Sequence, residues 1–245
     1  MTTLDTDRIS TSAPATGSRK VWDWPVRAFH WSLALSFLGA FVTNRLGVKY
    51  FGWHLGFGYA VIVLVAFRIL WGFFGTKHAR FANFLRGPKT VLRYVAATGR
   101  GLKTRHAGHN PLGALMVVAL LGGLGAQAAF GLFADDEIFN AGPLAALVTK
   151  EVSLLLTSLH RKIFYVLAAG VAIHVGAVVL HTFVKGEPIA KAMITGAKPQ
   201  ALVEPHEEIR SSHSFVAVAL LAVVTVALAA LLHFAPTGAV EVSAY

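Results

Sequence analysis

Residues 158–183 read SLHRKIFYVLAAGVAIHVGAVVLHTF, an apolar stretch that carries His160, His174 and His181. An imidazole in hydrocarbon is costly and is rarely kept there without a task. If the stretch is helical, the 14 residues from His160 to His174 make close to four turns and about 21 Å of axis. Both rings then point to nearly the same side at different depths. Such a pair cannot close one metal site; it suits two separate sites, one above the other. Two neutral imidazoles facing each other across a gap can fill both axial positions of a b-type haem iron, held by those ligands and an apolar pocket without thioether links. A zinc site needs three or four ligands converging on one point, which the spread in depth opposes. A histidine proton relay is the third option, and no Asp or Glu lies inside any apolar run to carry it onward.

The elements that must position these rings follow from composition. Of the 245 residues 55% are hydrophobic and 14% charged, with the apolar residues in long runs and the charges between them, which is a membrane pattern. There is no cysteine, which excludes disulfides, iron–sulfur clusters and haem attached through cysteine. The net charge of +10 does not imply nucleic acid, because the basic residues sit in the connections and not along one helical face. Five runs reach membrane-spanning length, at 26–43, 52–75, 111–133, 155–183 and 214–234, and none shows the alternation of a strand. The fold class expected is an all-α integral membrane bundle, with a four-helix core and a fifth C-terminal span. Residues 1–20 read as a disordered cytoplasmic tail, 21–198 as the membrane domain, and 199–245 as a linker, the fifth span and a short tail. The polar first 27 residues carry no apolar core closed by a small-residue cleavage site, so the first run is expected to stay as an anchor.

Basic residues set the orientation. Residues 76–110 hold eight Lys and Arg and residues 184–213 hold four, whereas the alternate connections carry Arg45 and Lys49 in one and Lys150 in the other. The N-terminus is therefore expected inside and the C-terminus outside. Residues 81–102 also suggest a short interfacial helix. The outer connection with Asp135, Asp136 and Glu137 reads either as a docking edge for a basic partner or as a solvated loop.

Depth then pairs the histidines. His54 begins the second span on the outer side, level with His160; His30 lies towards the inner side of the first, level with His174, with His181 as competitor. Gly52, Gly56, Gly58, Gly170 and Gly176 would let a macrocycle approach the helices. Arg68, well inside the second span, reads as snorkelling to the inner interface, pairing with a haem propionate, or both. Asn110 with Pro111 suits a helix start, and His109 beside it an interfacial site. The other reading of His109 and Asn110 is contact with a propionate or a quinone headgroup. His78, His106, His206, His213 and His233 follow no such pattern and read as solvent or interface residues.

At these residues the sequence resembles the bacterial cytochrome b561 proteins and the b-type cytochrome subunits of nickel–iron hydrogenases. The resemblance lies in VWDWPVRAFHW, HLGFGY with FRILWG, GPKTVLRYV, GHNPLGALM, GPLAALV with LHRKIFYVL, and AIHVGAVVLH with PIAKAMITGAK, which span about residues 21–198 in order. It implies two haems b, one near each face, with His30, His54, His160 and His174 as iron ligands and His181 as a non-ligand. It also implies electron transfer between the membrane quinone pool and an outer-side partner: a hydrogenase, a c-type cytochrome or another dehydrogenase. The expected setting is a bacterial inner membrane, with lipid and quinone as partners and dimerisation left open. The fifth span and the longer connection ALVEPHEEIRSSHS depart from the smallest members, some of which oxidise superoxide. A self-contained superoxide-oxidising quinone reductase is thus the main alternative, and a haem-free histidine-lined transporter the other.

Overall fold

The computed structural model describes residues 17–102 and 106–236. Residues 1–16 of the tail expected to be disordered lie outside the described residues, as do 103–105 and the last part of the C-terminal tail.

A short strand, β1 (Ser18–Lys20), leads into α1 (Trp24–Arg45). Asp23 starts this helix: its side chain accepts the Val26 N–H at 2.6 Å, and Pro25 preorganises the first turn. A tight connection brings the chain back as α2 (Phe51–Phe74). Two short helices follow, α3 (Phe81–Phe84) and α4 (Pro88–Gly99), in place of the single interfacial helix expected there. Pro88 accounts for the break, because it pushes the preceding residue out of helical geometry and itself opens a new helix.

Next comes α5 (Pro111–Leu132), whose Asn110 cap accepts the Gly113 N–H at 2.7 Å. The fourth spanning helix, α6 (Lys150–Val179), runs into a π-helical turn over Leu180–Val184. It begins five residues before the apolar run because Thr149 caps it and Glu151 suits its first turn. After α7 (Ile189–Thr195) and strand β2 (Ala197–Pro199), the last span is α8 (Ser214–His233). All five expected spans are present, and each is apolar enough to cross a membrane, with mean hydropathy from 1.2 to 2.9.

In the bundle α1 packs on α2, α5 packs on α6, and α2 bridges the pairs while α8 lies against its other side. Two apolar cores result. One joins Val61 and Val65 of α2 with Leu121 and Leu124 of α5 and Leu167 of α6. The other lies at one end around Val21, Trp22, Phe67 and Trp71. Large apolar side chains elsewhere on the spans face outward, such as Leu35, Tyr165, Val166 and Phe215, as expected of surfaces covered by lipid. The chain is an integral membrane helical bundle.

The two ends differ. At the sheet end, β1 pairs antiparallel with β2, Arg19 opposite Lys198. The tail expected to be disordered extends to Lys20, whereas its last three residues, Ser18–Lys20, form this strand. Gly196 permits the clasp: it takes φ +85°, and a Cβ there would stand 2.8 Å from the Trp22 carbonyl oxygen. The connection to α8 is also fastened here. Lys77 donates to the His206 carbonyl at 3.0 Å, His78 to that of Glu207 at 2.7 Å, and Lys20 to the Ser212 hydroxyl at 2.8 Å. At the loop end, the α5–α6 connection folds around Asp136, whose carboxylate accepts the N–H groups of Ile138, Phe139 and Asn140. Although desolvation raises the Asp136 pKa, those donors outweigh it and hold the carboxyl well below its usual range.

Candidate functional site

The four histidines meet in two pairs on the shared helix α6. At the loop end His54, in the first turn of α2, faces His160, with ring centroids 6.2 Å apart and planes at 85°. Towards the sheet end His30 of α1 faces His174, again at 6.2 Å, with planes at 54°. A metal–nitrogen bond of about 2 Å, and about 1 Å more to the ring centre, would put two imidazoles on one ion roughly 6 Å apart between centroids. Both pairs have that separation, and neither is joined by a direct hydrogen bond. The rings are thus spaced for an ion between them.

The loop-end rings are also oriented. His54 Nδ1–H donates to the Ala40 carbonyl at 2.9 Å, and His160 Nδ1–H to the Gln127 carbonyl at 2.7 Å. Each bond fixes a ring and leaves Nε2 for a metal, the usual support of a ligating histidine. Gly39 makes the first possible: a Cβ there would lie 2.6 Å from the Phe57 ring, so its absence lets α1 approach α2 just before Ala40. Added Cβ atoms on Gly52, Gly56, Gly58 or Gly176 would meet nothing within 4 Å, so space is open near both pairs.

The sheet-end pair sits beside buried polar atoms that lack partners. His30 Nδ1, Arg68 Nη1 and His109 Nδ1 are all buried without a hydrogen bond, and so is Gln127 Oε1 near the other pair. Leaving such a group unpaired costs about 1–3 kcal/mol, so each of these atoms calls for a partner that the surrounding side chains do not supply. Arg68 is 3% exposed and lies over the Phe81 and Phe84 rings, 5.2 and 5.9 Å from their centroids. His109 is wedged between Trp22 and Phe84, with centroids at 4.7 and 4.8 Å. Burial, reinforced by the Arg68 and Lys198 charges, pushes the His109 imidazole down to about 3. At neutral pH it is an uncharged hydrogen-bonding group, and Arg68 is the fixed cation.

Asn110 is placed as a cap through its side-chain oxygen. His181 is turned to Glu187 at 3.0 Å on the π-helical turn, while His174 alone faces His30. Sequence reasoning missed Asp23, 1% exposed, whose carboxylate accepts from Trp71 Nε1 at 3.3 Å and from the Thr76 hydroxyl. Its signal was present in VWDWP, an Asp two residues before Pro at a helix start. His78, read as a solvent or interface residue, is instead buried against the Glu207 carbonyl. Among the described residues no three of His, Asp and Glu gather into a single metal cluster.

Against known families, residues 21–196 match the model described as prokaryotic cytochrome b561. The chain belongs to that family. It is accordingly a membrane cytochrome b561, a binder of b-type haem and a carrier of electrons. No curated protein and no solved structure matches it. The matched region contains both histidine pairs, Arg68 and His109, and ends before α8.

Proposed function

We propose that this cytochrome b561 is a dihaem electron carrier of a bacterial inner membrane, working between the quinone pool and a redox protein on the outer side. Candidate partners are a c-type cytochrome, a hydrogenase or another dehydrogenase. The observation that carries the reading is the presence of two imidazole pairs, each at 6.2 Å, at two levels of the same helix. His54 and His160 would hold one haem b, and His30 and His174 the other. Haem b supplies a one-electron iron couple at each level.

The protein's own contribution is placement and exclusion. Ala40 and Gln127 fix the loop-end imidazoles, and the apolar core of α2, α5 and α6 keeps water from the region between the levels. Stacking two sites about 21 Å apart along α6 covers most of a hydrocarbon layer of about 30 Å. The basic residues around the sheet end favour that end inside, which puts the loop end with Asp135, Asp136 and Glu137 outside. Arg68 and His109 would meet the anionic edge of the inner haem, or a quinone headgroup beside it, and so satisfy their buried nitrogens.

The protein purified from membranes should show reduced-minus-oxidised b-type bands with two haems per chain. Correctly folded protein without pigment would overturn the reading, and one haem per chain would overturn its dihaem form. A sharper expectation concerns His181. Its ring is engaged by Glu187, so His181→Ala should leave both haems in place; loss of one would move the inner ligand from His174 to His181.

A further inference from the structure

Helix α5 contributes no histidine to either pair, yet it touches one of the ligating rings at two points. The Gln127 carbonyl accepts the His160 Nδ1–H at 2.7 Å. One turn later on the same face, Gly131 lies directly against the ring: a Cβ built there would stand 2.9 Å from His160 Cε1 and 3.1 Å from Nδ1. Those distances leave no room for a methyl group unless the imidazole moves. We propose that the Gln127 carbonyl and the bare Cα of Gly131 form a seat on α5 that sets the ring plane and proton position of His160. This rests on the reading of His160 as an iron ligand.

The register of the two helices keeps the seat opposite the ring. Ser153 of α6 donates to the Phe133 carbonyl at 2.6 Å, and Thr157 accepts the Asp135 N–H at 2.9 Å. Ser153, Thr157 and His160 are spaced by four and three residues, so they share the α6 face turned to α5. Bonds at two successive positions of that face fix the height of α5 against α6 before His160 is reached. Among the described residues nothing comparable supports His30 at the sheet end, where its Nδ1 is buried without a partner.

The seat has an electronic consequence. A hydrogen bond from the far nitrogen of a ligating imidazole makes it a more basic donor, and such bonds are among the levers a protein has on haem potential. Stronger donation favours the oxidised iron. Displacing His160 from the Gln127 carbonyl should therefore make the loop-end haem easier to reduce and leave the sheet-end haem as it was.

Gly131→Ala tests this, with Gly122→Ala as control. Gly122 lies on the opposite face of α5, and a Cβ there meets nothing within 4 Å. Gly131→Ala should either cost the loop-end haem alone or retain it with its reduction equilibrium shifted about tenfold towards the reduced form, roughly 59 mV for one electron. The control should match wild type. Because Gly131→Ala could instead impair folding, the same change is also made in His160→Ala. With the ring gone, the added methyl should bring no further fall in melting temperature in detergent. The seat is overturned if Gly131→Ala keeps both haems with unchanged spectrum and potentials, or if its melting penalty is as large without the His160 ring as with it. Wild-type protein lacking haem would sink the functional reading, and the melting comparison would still decide the seat.

Discussion

Replacing His54 or His160 by alanine should remove one of the two proposed haems and leave the other, while replacing His30 or His174 should remove its counterpart. This is the largest effect expected of any single substitution, because each iron would depend on two imidazoles that come from different helices. The rings of each pair lie 6.2 Å apart, and the two pairs share only α6. Haem per chain should fall by half in all four variants. The spectra should sort them into two classes, His54 with His160 and His30 with His174. Electron transfer from one face to the other should be abolished in every case, since either level alone leaves much of the hydrocarbon uncrossed. Haem quantitation with a reduced-minus-oxidised spectrum of each variant checks this. Two variants of one pair with different residual spectra, or a single replacement that leaves both haems, would contradict the pairing.

The parts of this fold that were legible in the sequence are those written in local periodicity and in the cost of polarity in lipid. The five spans follow from apolar runs, the α5 start from Asn110 and Pro111, and the facing of His160 and His174 from the helical repeat. Depth in a bilayer then restricts partners sharply, so His54 and His30 could be matched to α6 without knowing any contact. What could not be read was long-range or polar. The start of α6 at Lys150 is set by the Thr149 cap, and its polar first residues carry no hydropathy signal. The pairing of Ser18–Lys20 with Ala197–Pro199 joins segments nearly the whole chain apart and leaves no periodic trace in three residues. Lys198 has the same history: it counted as a loop charge, yet it is 7% exposed with its ammonium on the His106 carbonyl. The seat under His160 was invisible for a further reason. Gly131 is one of 23 glycines, and only the approach of another helix shows which of them must lack a side chain.

Asp23→Ala should be the most destabilising substitution outside the histidine pairs, costing about 3–5 kcal/mol, the range found when a buried charge network loses one partner. Three losses coincide at this position. The α1 cap goes with the bond to the Val26 N–H, worth about 1 kcal/mol. The Trp71 indole N–H and the Thr76 hydroxyl lose their acceptor in a region where water cannot replace it, at about 1–3 kcal/mol each. Arg68, buried and within electrostatic reach of Asp23, loses its nearby anion. These terms share one carboxylate and do not add, so the total falls below their sum. Asp23→Asn keeps one acceptor oxygen and should lie between wild type and Asp23→Ala, whereas Thr76→Val, which removes a donor and not the hub, should cost least. Because Asp23 ties the head of α1 to the far end of α2, its loss should also loosen His30, two turns further along α1, and deplete the sheet-end haem before the loop-end one. Thermal unfolding in detergent, followed with the haem spectrum, checks both expectations. Equal melting temperatures for Asp23→Ala and Thr76→Val would show that the carboxylate is not the hub of this end of the bundle.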